Sequence, residues 1–469
     1  MNIHLKSILS AFAFSLLFYS KSFGLNLFLI TIIIITLVST ISKERSFSWT
    51  YATAYIVSAL FVFINPSGLS IFVHFMALIL FIGKSISQKS STYISWLIGC
   101  IALLISSVAN YMQQKENKST TSNPKQKDVS PKLLNRIKGV LVSIVLLCSF
   151  GLLYRSANPV FENLIEQINL NFISIPWLFF TLLGYILFLH ILRPFDPKEL
   201  IAYDLSQSNT LNKPTELVLI GEKQKLESES TLGRIVFFAL NILLVFFLTT
   251  DAIYLLQKTE ISNSGYSQSV HQGVYALMFS IVCAIALILY FFRGNLNFYK
   301  NNKRLKSLTY LWIVLNIILI VFTWYKNYLY IEALGLTYKR IGVFIYLLLT
   351  LTGLITAYLK IIHIKSFTFL LRKNVATVFT MLFISAAIPW DKTITWYNLS
   401  FIEKPDIFYL TDLGANNSEQ LYKYTKNNPN SIDINIKEIV MEKHVEFLSD
   451  QTDKTWQEYT LYQLVNINK

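Results

Sequence analysis

From Ile235 to Leu256 the chain is apolar except for Asn241, Thr249, Thr250 and Asp251. A helix of that length, rising about 1.5 Å per residue, covers a bilayer core about 30 Å thick. Lipid offers no water to an open backbone, so such a run crosses a membrane as a helix, and the strict alternation of a barrel strand is absent. Comparable runs are Leu25–Ile41, Trp49–Ile64, Leu69–Gly83, Tyr93–Val108, Val140–Leu153, Trp177–Leu192, Val274–Phe292, Leu308–Trp324, Ile341–Leu359 and Val375–Pro389, with a shorter one at Ile8–Tyr19. They predict an all-α, polytopic transmembrane bundle of about twelve helices.

Composition supports this class. Hydrophobic residues make up 53% and charged residues 14%, against about 25% charged in a soluble domain. That balance excludes a disordered chain and argues against an ordinary soluble enzyme. Three cysteines, Cys100, Cys148 and Cys283, cannot staple a chain of 469 residues. All three fall inside predicted spans and read as small packing residues.

The formal charge of +14 belongs to topology and not to nucleic acid, because Lys and Arg sit in short stretches between apolar runs. With Met112–Lys138 placed in the cytoplasm and the later spans alternating, the inner stretches carry twenty-two basic residues and the outer ones five. The N-terminal half disagrees. Counting back from Met112 puts Lys43, Arg45, Lys84 and Lys89 outside, a conflict that one non-crossing early segment would also produce. Lys6 followed by Ile8–Tyr19 has the shape of a signal peptide. No small-x-small site closes it and a second apolar run follows at once, so a retained first helix turning at Lys21–Gly24 is the preferred reading.

Four regions follow: N-terminal helices over 1–111, a basic cytoplasmic linker over 112–138, the main bundle over 139–390 with a cytoplasmic connection at 194–232, and a C-terminal domain over 391–469. The last region is acidic, with eight Lys against twelve Asp and Glu. An acidic domain after an outward-going helix belongs outside the cytoplasm. Its expected helical stretches are Ser418–Lys426, Ile436–Leu448 and Lys454–Val465. In the third, Trp456, Tyr459, Tyr462 and Val465 form an apolar stripe.

No HExxH, CxxC, GxxxxGK[ST], GxSxG or GxGxxG occurs, and His4, His74, His190, His271, His363 and His444 lack ligand spacing. No cofactor or metal is therefore expected, and nothing argues positively for an enzyme. A third reading, a lipid- or glycan-processing enzyme, would need an acid pair, for which Asp251 and Glu332 are the candidates. A charge at membrane depth needs a partner or water. Asp251 near the outer end of its helix, His271 and Gln272 opening the next, and Glu332, Thr337, Lys339 and Arg340 in the following outer loop compose a candidate outward-facing polar site. The bland alternative is that Asp251 or Glu332 pairs with Arg340 to pin helix ends. Asn241 and Asn316, near mid-membrane, read either as substrate-lining amides or as interhelical hydrogen bonds. His190 beside Arg193 reads as an interfacial anchor.

Several blocks resemble a family of bacterial multi-pass membrane proteins of unknown function. They are Leu17-Phe18-Tyr19 with Gly24-Leu25-Asn26, Ser156 to Phe161, Val270-His271-Gln272-Gly273-Val274-Tyr275, Gly335-Leu336-Thr337-Tyr338-Lys339-Arg340, and Trp396-Tyr397-Asn398. Gln272 stands where an acidic residue would be expected, which weakens a proton relay there. The resemblance implies a bacterial cytoplasmic-membrane protein and brings no activity, cofactor or catalytic residue. Two roles remain open. One is a non-enzymatic sensory or scaffolding protein whose residues 391–469 bind an envelope partner. The other is a transporter or channel for a small solute or ion. The lipid bilayer is the one partner implied throughout, and oligomeric state is not legible.

Overall fold

A computed structural model of the chain describes residues 2–41, 47–120, 174–256, 263–429 and 432–466, with scattered positions between 135 and 158. The side chains of 41, 114–120, 219, 254–256, 263–276 and 466 lie outside that description. In chain order the helices are α1 (Ile3–Phe18), α2 (Leu25–Ile41), α3 (Trp49–Ile64), α4 (Gly68–Ile86), α5 (Thr92–Thr120), α6 (Ile175–Leu192), α7 (Lys198–Ser206), α8 (Glu216–Gly221), α9 (Lys223–Leu256), α10 (Asn263–Phe291), α11 (Lys303–Leu334), α12 (Tyr338–Ile362) and α13 (Phe367–Ala386). Shorter helices follow: α14 (Trp390–Phe401), α15 (Ile407–Thr411), α16 (Ser418–Asn427), α17 (Ile434–Asp453) and α18 (Leu461–Asn466). No strand forms among the described residues.

Among the described residues seven helices, α4, α5, α6, α9, α11, α12 and α13, are long and apolar enough to cross a membrane. Helices α1, α2, α3 and the second half of α10 are apolar but shorter. The expected span Val140–Leu153 falls largely outside the described residues. Helix α5 continues to Thr120, into the first residues of the expected linker, and most of the rest of that linker lies outside the described residues.

The chain divides into two compact units, one of residues 1–21 with 101–195 and one of residues 22–100 with 196–469. In the first, α1 and α6 run antiparallel. The Tyr185 hydroxyl lies 2.8 Å from His4 Nδ1, Ser15 pairs with Thr181 at 2.7 Å, and Tyr19 pairs with Ser174 at 3.1 Å. Gly184 lets Phe14 and Ala11 approach the α6 backbone, the small-residue packing that replaces hydrophobic driving force in lipid. His190 ties α6 to α5 through Ser107 Oγ at 2.7 Å and the Leu103 carbonyl at 2.7 Å.

The second unit has an apolar middle and two polar ends. Its middle is a cluster on α9, α10, α11 and α12 that includes Phe237, Ile281, Ile288, Leu319, Leu347 and Leu354. Gly83 of α4 and Gly99 of α5 touch each other's helix so closely that a Cβ on either would overlap backbone. At one end Asp204 is buried. It accepts the Ser91 N–H at 2.7 Å, the Ser91 hydroxyl at 2.9 Å and Arg372 Nη2 at 3.1 Å. The Asp204 carboxyl loses solvation there, which alone would raise it, yet the Ser91 and Arg372 donors hold it below the usual carboxylate range. The same end holds Lys84, whose ammonium donates to the Gln88 and Ser90 carbonyls. The 194–232 connection is folded here, with Ser366 donating to the Ser208 and Asn209 carbonyls.

This arrangement corrects the count that put Lys84 and Lys89 opposite Arg372. Helices α2, α3 and α4 alternate, so the α4–α5 turn joins the end rich in Lys and Arg.

Candidate functional site

The other end of the second unit is built from helix termini. Helix α11 stops at Gly335, whose φ of +84° lies in the left-handed region that favours glycine. Asn398 of α14 accepts the Leu336 N–H at 2.8 Å and donates to the Leu336 carbonyl at 2.8 Å. A Cβ on Gly335 would overlap the Asn398 amide oxygen. Thr337 then caps α12 by accepting the Arg340 N–H at 3.4 Å. The Arg340 side chain, 8% exposed, turns back to donate to the Leu334 carbonyl at 2.9 Å and to the Gly335 carbonyl, with its guanidinium 4.0 Å from the Tyr330 ring.

Residues from 390 onward fold onto these termini. Tyr338 donates its hydroxyl to Asp391 at 2.7 Å, and its N–H to the Tyr409 hydroxyl at 3.1 Å. Burial raises the Tyr409 phenol above its ordinary range. Lys443 of α17 donates to the Thr411 and Leu413 carbonyls at 2.9 and 2.7 Å. Burial lowers its ammonium, and the carboxylates of Asp391 and Asp412 partly restore it. Ile394, Leu410, Leu421 and Val440 form the small core beneath. Asn416 donates to the Pro66 carbonyl at 3.3 Å, joining the tail to the α3–α4 turn.

A second attachment lies at the α1–α2 turn. The Glu458 carboxylate accepts the Ser22 N–H at 2.8 Å, the Ser22 hydroxyl at 3.1 Å, the Thr455 N–H at 3.1 Å and the Thr455 hydroxyl at 2.6 Å. Partial burial alone would raise its carboxyl, but these donors pull it down to about 2. The Leu25 N–H meets the Tyr459 carbonyl at 2.8 Å. Any Cβ on Gly24 would press on the Glu458 and Tyr459 carbonyls. Asn26 stiffens the turn by accepting from Gly24 N–H at 2.8 Å and donating to the Ser22 carbonyl at 2.7 Å.

The expected stripe through Trp456, Tyr459, Tyr462 and Val465 does not form. Residues 456–458 make one 3-10 turn and α18 starts at Leu461. Thr455 with Glu458, and Thr460 with Gln463, each close a local cap that interrupts a continuous helix. Trp456 and Val465 are exposed.

Between these attachments opens a cleft of about 1070 Å³. Its walls come from Asn65–Leu69, Tyr330, Thr337–Arg340, Trp390–Lys392, Tyr409, Asp412–Asn416 and the tail residues Phe447, Asp450, Gln451, Lys454, Thr460 and Tyr462. Of the residues expected in an outward polar site, Thr337, Lys339 and Arg340 lie in this wall. Asp251 does not pair with Arg340; it accepts from Lys326 of α11. Glu332 is exposed and Arg340 spends its Nη1 on loop carbonyls. The side chains of His271 and Gln272, and most of Ser156–Phe161, lie outside the described residues. Asn241 donates to the Leu308 carbonyl of α11 at 3.0 Å, and Asn316 to the Trp312 carbonyl of its own helix at 2.8 Å.

Sequence reasoning passed over Asp391, Asn398, Tyr409 and Glu458. The one signal in the sequence was that Asn398 lies in a block that resembles a known family. It also passed over His74, buried in α4 against Ser58 at 3.1 Å and the Tyr55 ring at 4.9 Å, which nothing in the local sequence marks. Among the described residues, no group of three His, Cys, Asp or Glu is placed to hold a metal ion.

Residues 7–424 match a family model described as Domain of unknown function (DUF4153). No curated protein and no solved structure matches the chain.

Proposed function

The chain belongs to that family of unknown function, and we propose that it is a non-enzymatic sensory or scaffolding protein of the bacterial cytoplasmic membrane, with residues 391–469 outside the cytoplasm. It is a membrane protein by its apolar helices. The observation that carries the rest is the cleft, whose walls combine three helix-connecting regions with a tail that is tied to them. A ligand or envelope partner seated there touches the tail and the helix ends together, so occupancy is felt at both. The sidedness rests on charge. Lys84, Lys365 and Arg372 gather at the Asp204 end, as cytoplasmic loops do, and the acidic tail gathers at the other.

Transport has less support. Asn241 and Asn316 are tied to backbone carbonyls inside an apolar cluster, and Asp251 is neutralised by Lys326. A third reading, processing of lipid or glycan by Asp251 with Glu332, loses its acid pair for the same reason.

The test uses Ala415→Cys, an exposed position in the cleft wall, in a chain with Cys100, Cys148 and Cys283 changed to Ala. A membrane-impermeant maleimide applied to intact cells from which any outer barrier has been removed should label it. A component of the native envelope should slow that labelling. Labelling only after lysis would overturn the sidedness, and labelling indifferent to every envelope fraction would overturn the binding role.

A further inference from the structure

We propose that a groove between α4 and α13 seats one acyl chain of a phospholipid whose negatively charged headgroup is held at the Asp204 end. Among the seven helices long enough to cross the membrane, α13 is the least enclosed by its neighbours. It is fastened at separate points. Arg372 reaches Asp204 at one end, Asn374 donates to the Thr356 hydroxyl of α12 at 3.0 Å, and the Phe383 ring lies 5.1 Å from that of Phe61 on α3. Between these fastenings remains a groove of about 260 Å³, lined by Ala54 of α3, Met76 and Leu80 of α4, and Ala376 and Phe379 of α13. Water does not suit it. A trapped water needs about two to four polar partners, and the one hydroxyl of α13 in the wall, on Thr380, is spent on the Ala376 carbonyl at 2.9 Å. A partner helix is too large, since one turn about 10 Å across and 5.4 Å high fills roughly 400 Å³. The walls are apolar helices of the membrane part, so the groove meets the hydrocarbon of the bilayer. A flexible acyl chain fills such a space and restores the dispersion contacts that an empty one forfeits.

Charge at one end of the groove adds an independent argument. The groove reaches Tyr51 and Thr92. Thr92 follows Ser91, which binds Asp204, and the Lys84 ammonium lies 5.1 Å from the Tyr51 ring. Lys89 stands in the α4–α5 turn just before Ser91. Lys373 follows Arg372 and precedes Ala376 by three residues on α13, so it shares the helix face that lines the groove. The other charges at this end are engaged. Asp204 is paired with Arg372, and Lys84 donates to the Gln88 and Ser90 carbonyls. Lys89 and Lys373 are exposed and form no ion pair among the described residues. They are the cations that remain for a ligand where the groove leaves the hydrocarbon. A basic pocket between membrane helices at that depth suits the phosphate of an anionic lipid.

Full-length protein is placed in phosphatidylcholine nanodiscs doped with phosphatidylglycerol that carries a diazirine in one acyl chain. After illumination, adducts are mapped by mass spectrometry. Adducts at Met76 and Phe379 should saturate as the probe fraction rises, whereas those at Val378, exposed on the same helix, should grow in proportion to it. The same probe with a phosphatidylcholine headgroup should need at least about tenfold more to reach an equal yield in the groove, the scale of one charge-assisted hydrogen bond. Lys89→Gln combined with Lys373→Gln should bring the two probes together without moving the thermal midpoint. Ala54→Phe should fill the groove, removing the Met76 and Phe379 adducts of both probes while sparing those at Val378. Ala376→Leu should do the same if the first variant fails to fold. Groove adducts that grow in proportion to the probe, as at Val378, would overturn the proposal, and so would equal yields from the two headgroups in the wild type. No adduct at Met76 or Phe379 with either probe would show that protein closes the groove, which also overturns it.

Discussion

The side-chain amide of Asn398 brackets the peptide of Leu336, accepting its N–H and donating to its carbonyl, each at 2.8 Å. The pair joins α14 to the turn that ends α11. Replacing Asn398 by Ala leaves a backbone N–H and a carbonyl unpaired in a largely enclosed place, at a cost of about 1–3 kcal/mol. Asn398→Ala should lower the thermal midpoint in detergent and speed proteolytic release of residues 402–466. Gly335→Ala should do the same or more, because it adds strain at positive φ to a clash with that amide. Unchanged protease sensitivity in both variants would show that the clasp does not hold the tail.

Glu458 gives the second attachment a pH dependence of definite sign. Its folded carboxyl is held down to about 2 by Ser22 and Thr455, below the ordinary 4.5. A carboxyl depressed on folding contributes stability that is complete above its unfolded value and is lost as pH falls through the folded one. Tail docking should therefore be indifferent to pH between 6 and 8, and weaken between about pH 4.5 and 2. Glu458→Gln should remove that acid transition, as read by protease accessibility near Tyr459. Gly24→Val should open the contact at every pH.

Asp251 and Lys326 form an ion pair between α9 and α11, with side chains 8% and 17% exposed. Removing one partner strands a charge, so Asp251→Ala or Lys326→Ala should each cost about 3 kcal/mol. The double variant Asp251→Ala with Lys326→Ala should recover most of that loss in a thermal-melting cycle. Strict additivity of the two would mean the pair is not coupled.

A reporter that is active only in the cytoplasm, fused after Gln88, should be active. Lys84 and Ser91 share an end with Asp204 and Arg372, and short loops rich in Lys and Arg stay inside. Export of that reporter would reverse the orientation of the α2–α4 segment.

The apolar runs were legible because the bilayer imposes a length that few other environments demand. Ile235–Leu256 and Leu308–Trp324 lie inside helices α9 and α11 as expected. Pairing was not legible. Lys326 is 75 residues from Asp251, and nothing local ranks it above Arg340 as a partner. The tail stripe from Trp456 to Val465 had helical spacing, but spacing says nothing of two caps that end each turn early. Half of the cleft could be read, since Thr337 and Arg340 stand in one block at a helix start. The other half, Asp391, Tyr409 and Lys454, arrives by long-range docking that no periodicity encodes.

The contact between Ser22 and Glu458 spans 436 positions of the chain. During synthesis the turn after α1 is made long before the carboxylate that accepts from it. The tail can therefore close on this turn only after nearly all of the sequence between them has been made. The tail is also no transferable module. Grafted onto an unrelated membrane protein, it would bring one side of a joint whose other side is the beginning of this chain.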